Sequence, residues 1–367
     1  MKLPKIKDKD MLDVKVKKDN MKTLEAYRAG LMVKPILRNL FLELTMRCNE
    51  RCLHCGSSCG DVASEELTAA QYAKFLAEVK GDFGTEKKML CITGGEPLLR
   101  NDFFDIMGNA HELGIKWGMT SNGTLIDASV AKDLKRVGMN TISISIDGLE
   151  ETHDAFRRTP GGWKKAMNGI ECLIREGGFQ AIQATTVITH QNIGQLDELY
   201  KIFNEMDIDS WRIINMEPIG RAKQHPELVL TPDDYRYMFE YIRNMRIKGE
   251  PVTYGCSHYL GMEYEREVRD WYFICTAGTY IASIMANGDI TACLDIERRP
   301  EFIQGNILRD RFKDVWESGF KIFRKNLCDE NEKCSSCSEK DRCHGDSYHS
   351  WDFDKHEPQV CFKDILF

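Results

Sequence analysis

The chain has 367 residues, a net charge of −7 (50 Lys and Arg against 57 Asp and Glu) and 42% hydrophobic residues. It is long enough for two domains and for a core that needs no disulfide support. The charge balance argues against a general nucleic-acid binder, no apolar run approaches the ~18 residues of a membrane span, and no signal-peptide core follows Met1-Lys2-Leu3-Pro4, so a cytoplasmic protein is expected.

Residues 1–24 carry eight Lys against four Asp and read as a solvated basic arm within an N-terminal extension, residues 1–37. From residue 38, apolar or alternating runs predict strands at Phe41–Thr45, Met89–Thr93, Lys116–Thr120, Thr141–Asp147, Ile182–Thr189 and Trp211–Met216. Helical patterns lie between them at Thr68–Lys80 (Thr68 as N-cap), Asp102–Leu113, Ala128–Val137, Trp163–Arg175 and Ile193–Asn204. Strands alternating with helices imply a parallel sheet, because each crossover returns on the same side. In Thr141–Asp147, Ile142, Ile144 and Ile146 share one face and Ser143, Ser145 and Asp147 the other. A parallel strand covered on both sides is normally apolar on both faces. The polar face therefore favours an open barrel with a polar interior over a flat sheet. A further helix at Pro232–Met245 precedes a change of character at Gly255-Cys256, which puts the end of the barrel domain near residue 250 and a cysteine-rich domain over 251–367.

The fourteen cysteines are clustered. Four fall in Cys48–Cys59 and seven in Cys275–Cys361, with Cys91, Cys172 and Cys256 between. In a reducing compartment, clustering reads as metal ligation before disulfides. Cys48-Asn-Glu-Arg-Cys52-Leu-His-Cys55 directly follows the first strand. Three thiolates on one loop can hold three irons of a [4Fe–4S] cube and leave the fourth iron open to a ligand. A zinc site with His54 as a further ligand is the competing reading. Gly94-Gly95-Glu96-Pro97, Ser121-Asn122-Gly123-Thr124 and Asp147-Gly148 follow the next three strands. Each alone also fits a plain turn. All sit at carboxyl ends of successive parallel strands, where such folds gather their active sites.

In this order the motifs resemble the radical S-adenosylmethionine (SAM) superfamily over roughly residues 38–220. The resemblance implies an α/β fold with a partial (β/α)6 TIM-like barrel. It also implies a [4Fe–4S] cluster on Cys48, Cys52 and Cys55 whose open iron chelates SAM, and reductive cleavage of SAM to a 5′-deoxyadenosyl radical. It places His54 beside the adenine, Gly94, Gly95 and Glu96 at the methionine amino group, and Ser121, Asn122 and Ser145 at the ribose or sulfonium side. Arg157 matches the arginine that meets the SAM carboxylate, with a surface helix position as its plain alternative.

Cys275, then Gly288 and four residues to Cys293, followed by Cys334-Ser-Ser-Cys337, Cys343 and Cys361, resemble a SPASM domain, a small α+β unit with two auxiliary [4Fe–4S] clusters. Cys334, Cys337, Cys343 and Cys361 match the second of these. For the first, Ser347 stands where the family carries a cysteine, leaving Cys256 and Cys328 as replacements beside Cys275 and Cys293. That makes three clusters on eleven cysteines. Cys91 and Cys172 read as core thiols, and Cys59 stays open.

Such enzymes mostly modify ribosomally made peptides or proteins. The resemblance implies a peptide or protein substrate, with thioether or C–C crosslinking ahead of epimerisation, and a reductase such as flavodoxin or ferredoxin. With the barrel starting near residue 38, a leader peptide would be held by the barrel or SPASM surface or by another protein. A sulfatase-maturase-like activity ranks lower, because the acid near Cys293 is Asp295, one place later than in that branch, and strand alternation would point it away. A small-molecule radical dehydrogenase and a non-catalytic zinc scaffold are the remaining alternatives.

Overall fold

The computed structural model describes residues 13–61 and 64–367. The first part of the basic arm therefore lies outside the described residues. Its remainder is not a solvated arm. Val14–Val33 form helix α1, capped by the Asp13 side chain on Lys15 N, with Lys17, Met21, Arg28 and Leu31 buried against the cysteine-rich part. The Lys17 ammonium pairs with Glu267 and donates to Glu263 O at 3.1 Å, while Arg28 donates to Arg342 O and Phe273 O, each at 3.1 Å. Charged residues on the inner face hide this helix from a search for apolar periodicity.

Strand–helix units follow: β1 (Asn39–Glu43), α2 (Ala69–Phe83), β2 (Met89–Thr93), α3 (Phe103–Glu112), β3 (Trp117–Ser121), α4 (Ala128–Arg136) and β4 (Met139–Ser145). Then come α5 (Glu150–Arg157), α6 (Gly162–Glu176), β5 (Ala181–Ile188), α7 (Leu196–Glu205), β6 (Ser210–Asn215), α8 (Pro232–Ile247) and β7 (Val252–Tyr254). Thr68 caps α2 in a capping box with Gln71. Strand β4 ends at Ser145 rather than Asp147 because the Asp147 carboxylate, not the backbone, takes Val187 N–H at 2.8 Å.

The cysteine-rich part adds β8 (Ile281–Ile284), β9 (Asp289–Thr291) and β10 (Gly305–Asn306). These ten strands form one sheet in the order β10-β9-β8-β1-β2-β3-β4-β5-β6-β7, and Trp351–Asp352 pairs with Glu357–Pro358 in a separate two-stranded sheet. Strands β1 to β7 are parallel, β8 joins β1 in parallel, and β9 turns antiparallel. The sheet ends at β10 and β7 without closing, which is the expected partial barrel. It also runs across position 250, where the sequence changes character.

Ile142, Ile144 and Ile146 are buried on the helix side. On the interior side, Ser143 meets the Thr185 hydroxyl, which accepts from Arg212 Nε at 3.1 Å. The polar face thus lines a polar interior. Cys172 is buried in α6, and Cys91 is half-buried in β2.

The Lys17–Glu267 pair gives α1 its polar anchor. Removing one partner of a buried pair costs about 3–5 kcal/mol. Lys17→Met should fall at the low end, near ~3 kcal/mol, because Arg243 Nε stays 3.6 Å from Glu267. Anaerobic denaturant unfolding measures the loss, and adding Glu267→Gln should recover part of it.

Candidate active site at the carboxyl ends of the strands

Cys48, Cys52 and Cys55 lie on the loop after β1 and border a cavity of about 800 Å³, open mouth included. Its other walls are Gly94 and Gly95 after β2, Ser121 and Asn122 at the end of β3, Ser145, His54 and Arg157. The expected motifs therefore converge.

The cysteine loop has no regular structure, so its backbone groups are satisfied from outside. Gly95 N donates to Thr45 O at 2.7 Å and Glu96 N to Arg47 O at 2.9 Å. A Cβ on Gly95 would run into Arg47 O, which is why glycine is required there. The last carbonyls of α5 receive the loop: Arg157 O accepts from Arg51 N at 3.2 Å and Phe156 O from Leu53 N at 2.9 Å. Arg221 clamps the far side, donating to Cys52 O at 2.7 Å, Cys59 O at 2.9 Å and, through its backbone, Cys55 O at 3.0 Å. No motif announces Arg221 in the sequence.

Burial pushes the Cys48 thiol up to about 11 and Cys52 well above its ordinary value. Lone thiolates are disfavoured at Cys48 and Cys52, and a bound cation is what would hold these two deprotonated, whereas the Cys59 hydrogen bond lowers Cys55 to about 6.

Two site residues are engaged by protein groups. The Glu96 carboxylate is buried and turned to the neighbouring loop: it accepts from Ser121 Oγ at 2.9 Å, Asn122 N at 2.9 Å and Leu98 N at 3.3 Å. It fixes the β3 loop instead of bordering the cavity. Arg157 is 4% exposed, which excludes a surface position. Its guanidinium is already paired with Asp147 Oδ2 at 2.7 Å and Glu50 Oε2 at 2.7 Å. Asn122 ties its loop to the cysteine loop through Asn49 Oδ1 at 2.8 Å.

Glu50 was not anticipated, although a carboxylate between two thiol positions is itself a signal. Its Oε1 is buried at the cavity wall without a partner. His54 stacks on Phe156 with ring centroids 4.4 Å apart, and its Nδ1 is also buried without a partner. Burial lowers the His54 imidazole to about 4, so it is neutral at pH 7. Orphaned polar atoms in a cavity of this size fit a polar ligand that would satisfy them.

In the cysteine-rich part, Cys334, Cys337, Cys343 and Cys361 border one cavity of about 450 Å³. Cys328 borders it as well, and so does not sit apart with the first auxiliary set as expected. The short turns Leu327–Glu330 and Glu332–Ser335 are consecutive and share Asn331 as junction, which brings Cys328 beside Cys334. Cys275 and Cys293 are close enough to act on each other electrostatically. Ser347 donates to Ser257 O, so the position where the family carries a cysteine adjoins Cys256.

Asp295 also departs from expectation. Strand β9 ends at Thr291, so alternation does not extend to Asp295, and it borders the same cavity as Cys48, Cys52 and Cys55. Its Oδ2 lies 3.9 Å from Cys293 Sγ. Cys59 is buried with Met46 and Ala286, its Sγ 4.0 Å from Met46 Sδ. No described helix is long and apolar enough to cross a membrane.

An open parallel barrel, three cysteines at the mouth of its first strand and a cysteine-rich extension define a class, and the chain belongs to the radical SAM superfamily with a SPASM domain. The superfamily matches residues 42–203, and SPASM, an iron–sulfur cluster-binding domain, matches residues 275–338. SAM and iron–sulfur clusters are therefore its cofactors. Mycofactocin maturase MftC of Mycobacterium tuberculosis is 31% identical over 333 residues, covering 88% of this chain and 80% of its own. AdoMet-dependent heme synthase of Methanosarcina barkeri is 29% identical over 323 residues, covering 83% and 89%. Streptococcus suis SuiB bound to S-adenosylmethionine shares the fold, with a TM-score of 0.68, 20% identity and coverage of 90% and 77%; SuiB is also solved with its precursor peptide SuiA.

Burial pushes the Glu96 carboxyl up to about 7. A carboxyl raised on folding stabilises the fold below its usual range and loses that contribution as pH rises through about 7. Glu96→Gln should flatten the melting temperature against pH between 5 and 7.5. It should also cost about 1–3 kcal/mol, since its amide offers only one oxygen to three donors. Thermal unfolding across that pH range reads both effects.

Proposed function

We propose that this enzyme modifies a ribosomally made peptide or protein, with crosslinking ahead of epimerisation, on three [4Fe–4S] clusters. The observation that carries the reading is the cavity shared by Cys48, Cys52 and Cys55 with Leu294 and Asp295 of the cysteine-rich part. A substrate there meets the SAM-binding loop and an acidic group from the auxiliary domain together. The likeness to a maturase, and to a fold solved with a precursor peptide, supports a peptide as substrate.

When bound, the cluster and SAM supply a carbon-centred radical that abstracts a hydrogen atom. The chain's own residues bind and orient. Cys48, Cys52 and Cys55 hold the cluster, and the Gly94–Gly95 backbone leaves room for the methionine end. Glu50 Oε1 and His54 Nδ1 offer partners to polar atoms of SAM, with Ser121, Asn122 and Ser145 on the opposite wall. In this reading Arg157 acts through Glu50, holding it in place. Glu96 acts through Ser121 and Asn122. In this reading Asp295, at the same cavity, takes the proton released when the substrate is oxidised. Cys256, Cys275 and Cys293 form the first auxiliary set; the second draws on Cys334, Cys337, Cys343 and Cys361, with Cys328 as a fifth thiol at the same cavity. Electrons come from a flavodoxin- or ferredoxin-type reductase.

The similarity to a heme synthase over most of both chains favours a second reading, oxidation of a small molecule. Parallel incubations, one with any short peptide encoded near the gene and one with an iron–porphyrin precursor, separate the two. A mass change in the peptide supports the first, and haem formation without one supports the second.

Replacing Cys48, Cys52 and Cys55 together by Ala should abolish 5′-deoxyadenosine formation and leave auxiliary iron bound. Retained SAM cleavage by that variant would sink the assignment. Cys334→Ala/Cys337→Ala should instead lower iron by one cluster and spare uncoupled SAM cleavage with a chemical reductant, while product formation stops. Iron counting with parallel assays of 5′-deoxyadenosine and product reads all three.

A further inference from the structure

Outside the cysteine sites, three segments far apart in sequence bring metal-ligating side chains together. Glu217 follows the end of β6, His258 follows β7, and His349 lies in the turn Tyr348–Ser350 of the cysteine-rich part. One ligand atom from each lies within 4.8 Å of the other two. Glu217 Oε1 is 2.8 Å from His258 Nε2, and the two imidazole rings meet edge to face at 5.0 Å.

The surroundings are those of a built site. His258 is 1% exposed, and its Nδ1 is 2.6 Å from Asp346 Oδ2. Asp346 is itself fixed by Tyr259 N at 2.8 Å and Ser350 Oγ at 2.9 Å. A carboxylate on the far nitrogen of a histidine sets the tautomer that leaves Nε2 free to ligate. Asn215 Nδ2 orients Glu217 at 2.6 Å. The backbone bearing His258 is held by Arg269, which donates to His258 O at 2.6 Å and to Cys256 O at 2.9 Å. Glu265, 2.8 Å from Arg269, neutralises that guanidinium, so Arg269 brings no net charge.

Glu217 and Asp346 set two carboxylates against His258, a charge that a divalent cation at the three ligand atoms would balance. Buried carboxylates without that compensation are costly.

We propose that Glu217, His258 and His349 form a binding site for one divalent first-row transition-metal ion, with Asp346 as the positioning residue behind His258. Two imidazoles and one carboxylate suit such ions and leave coordination positions open. Asp295, which borders the cavity over the cysteine loop, lies within electrostatic reach of His349. An ion there would take an anionic or carbonyl oxygen of a substrate as a further ligand. The site does not depend on which substrate is correct.

The test uses the full chain with its clusters in place, because empty thiol sites would capture a soft metal. Mn(II) is the probe, being a hard ion with little affinity for thiolates. Titration of the oxidised holoenzyme, followed by the signal of free Mn(II), should show one saturable site per chain from which Zn(II) displaces it. His349→Ala and Glu217→Gln should each weaken Mn(II) binding at least ~10-fold, and Asp346→Asn about 10–100-fold, at unchanged iron content. If Asp346→Asn loses its clusters, half-buried His349 decides the matter. Absence of saturable Mn(II) binding to the iron-replete wild type would overturn the proposal. So would equal affinity in the iron-replete His349→Ala variant, since His258 would then be only an imidazolium held between two carboxylates.

Discussion

The buried pairing of Arg157 with Glu50 and Asp147 keeps three thiols of an irregular loop at one cavity. Glu50 belongs to the cysteine loop, Asp147 to the loop after β4 and Arg157 to the last turn of α5, so one guanidinium joins three elements. All three side chains are almost fully buried, where an unpaired charge is costly. Burial holds neighbouring His54 near 4 and His153 near 3, so both are neutral at pH 7 and leave the pairing undisturbed. One positive charge faces two carboxylates, and Glu50 keeps one oxygen unpartnered toward the cavity. The arrangement that stabilises the loop therefore also leaves it an acceptor for a ligand, and stability and binding meet in the same side chain.

Much of the barrel was legible because its signals are local. Met89–Thr93 is a strand over the same residues that its apolar run marks, and Thr68 caps its helix as the capping pattern requires. The polar face of Thr141–Asp147 did report a polar interior. What the sequence hid is non-local or masked by charge. Helix α1 buries Lys17 and Arg28, so it lacks an apolar stripe. The pairing of Asn39 with Ile281 spans most of the chain. Strand alternation misplaced Asp295 because the strand had already ended. Motif matching located Glu96 and Arg157 at the site but could not say that each is engaged by protein groups. Glu217, His258 and His349 share no spacing at all, and only the fold brings them together.

The continuous sheet changes what the cysteine-rich part does. Had it been a separate lobe, it could serve as an electron relay at a distance. Here β8 is hydrogen-bonded along β1, the strand that leads into the cysteine loop. Ala286, in the turn after β8, packs with Met46 and Cys59, and its carbonyl accepts from Leu67 N at 2.9 Å. Buried Glu43, at the end of β1, pairs with Arg298 from the cysteine-rich part. Moving that part away would break ladder hydrogen bonds and expose an ion pair, both unfavourable. It is thus a wall of the cavity over the cysteine loop, and Leu294 and Asp295 face the same space as Gly95, Ser121 and Ser145. A ligand that fills this cavity must complement both parts at once, so sequence change in residues 292–299 can reshape it without touching the loop that holds Cys48, Cys52 and Cys55.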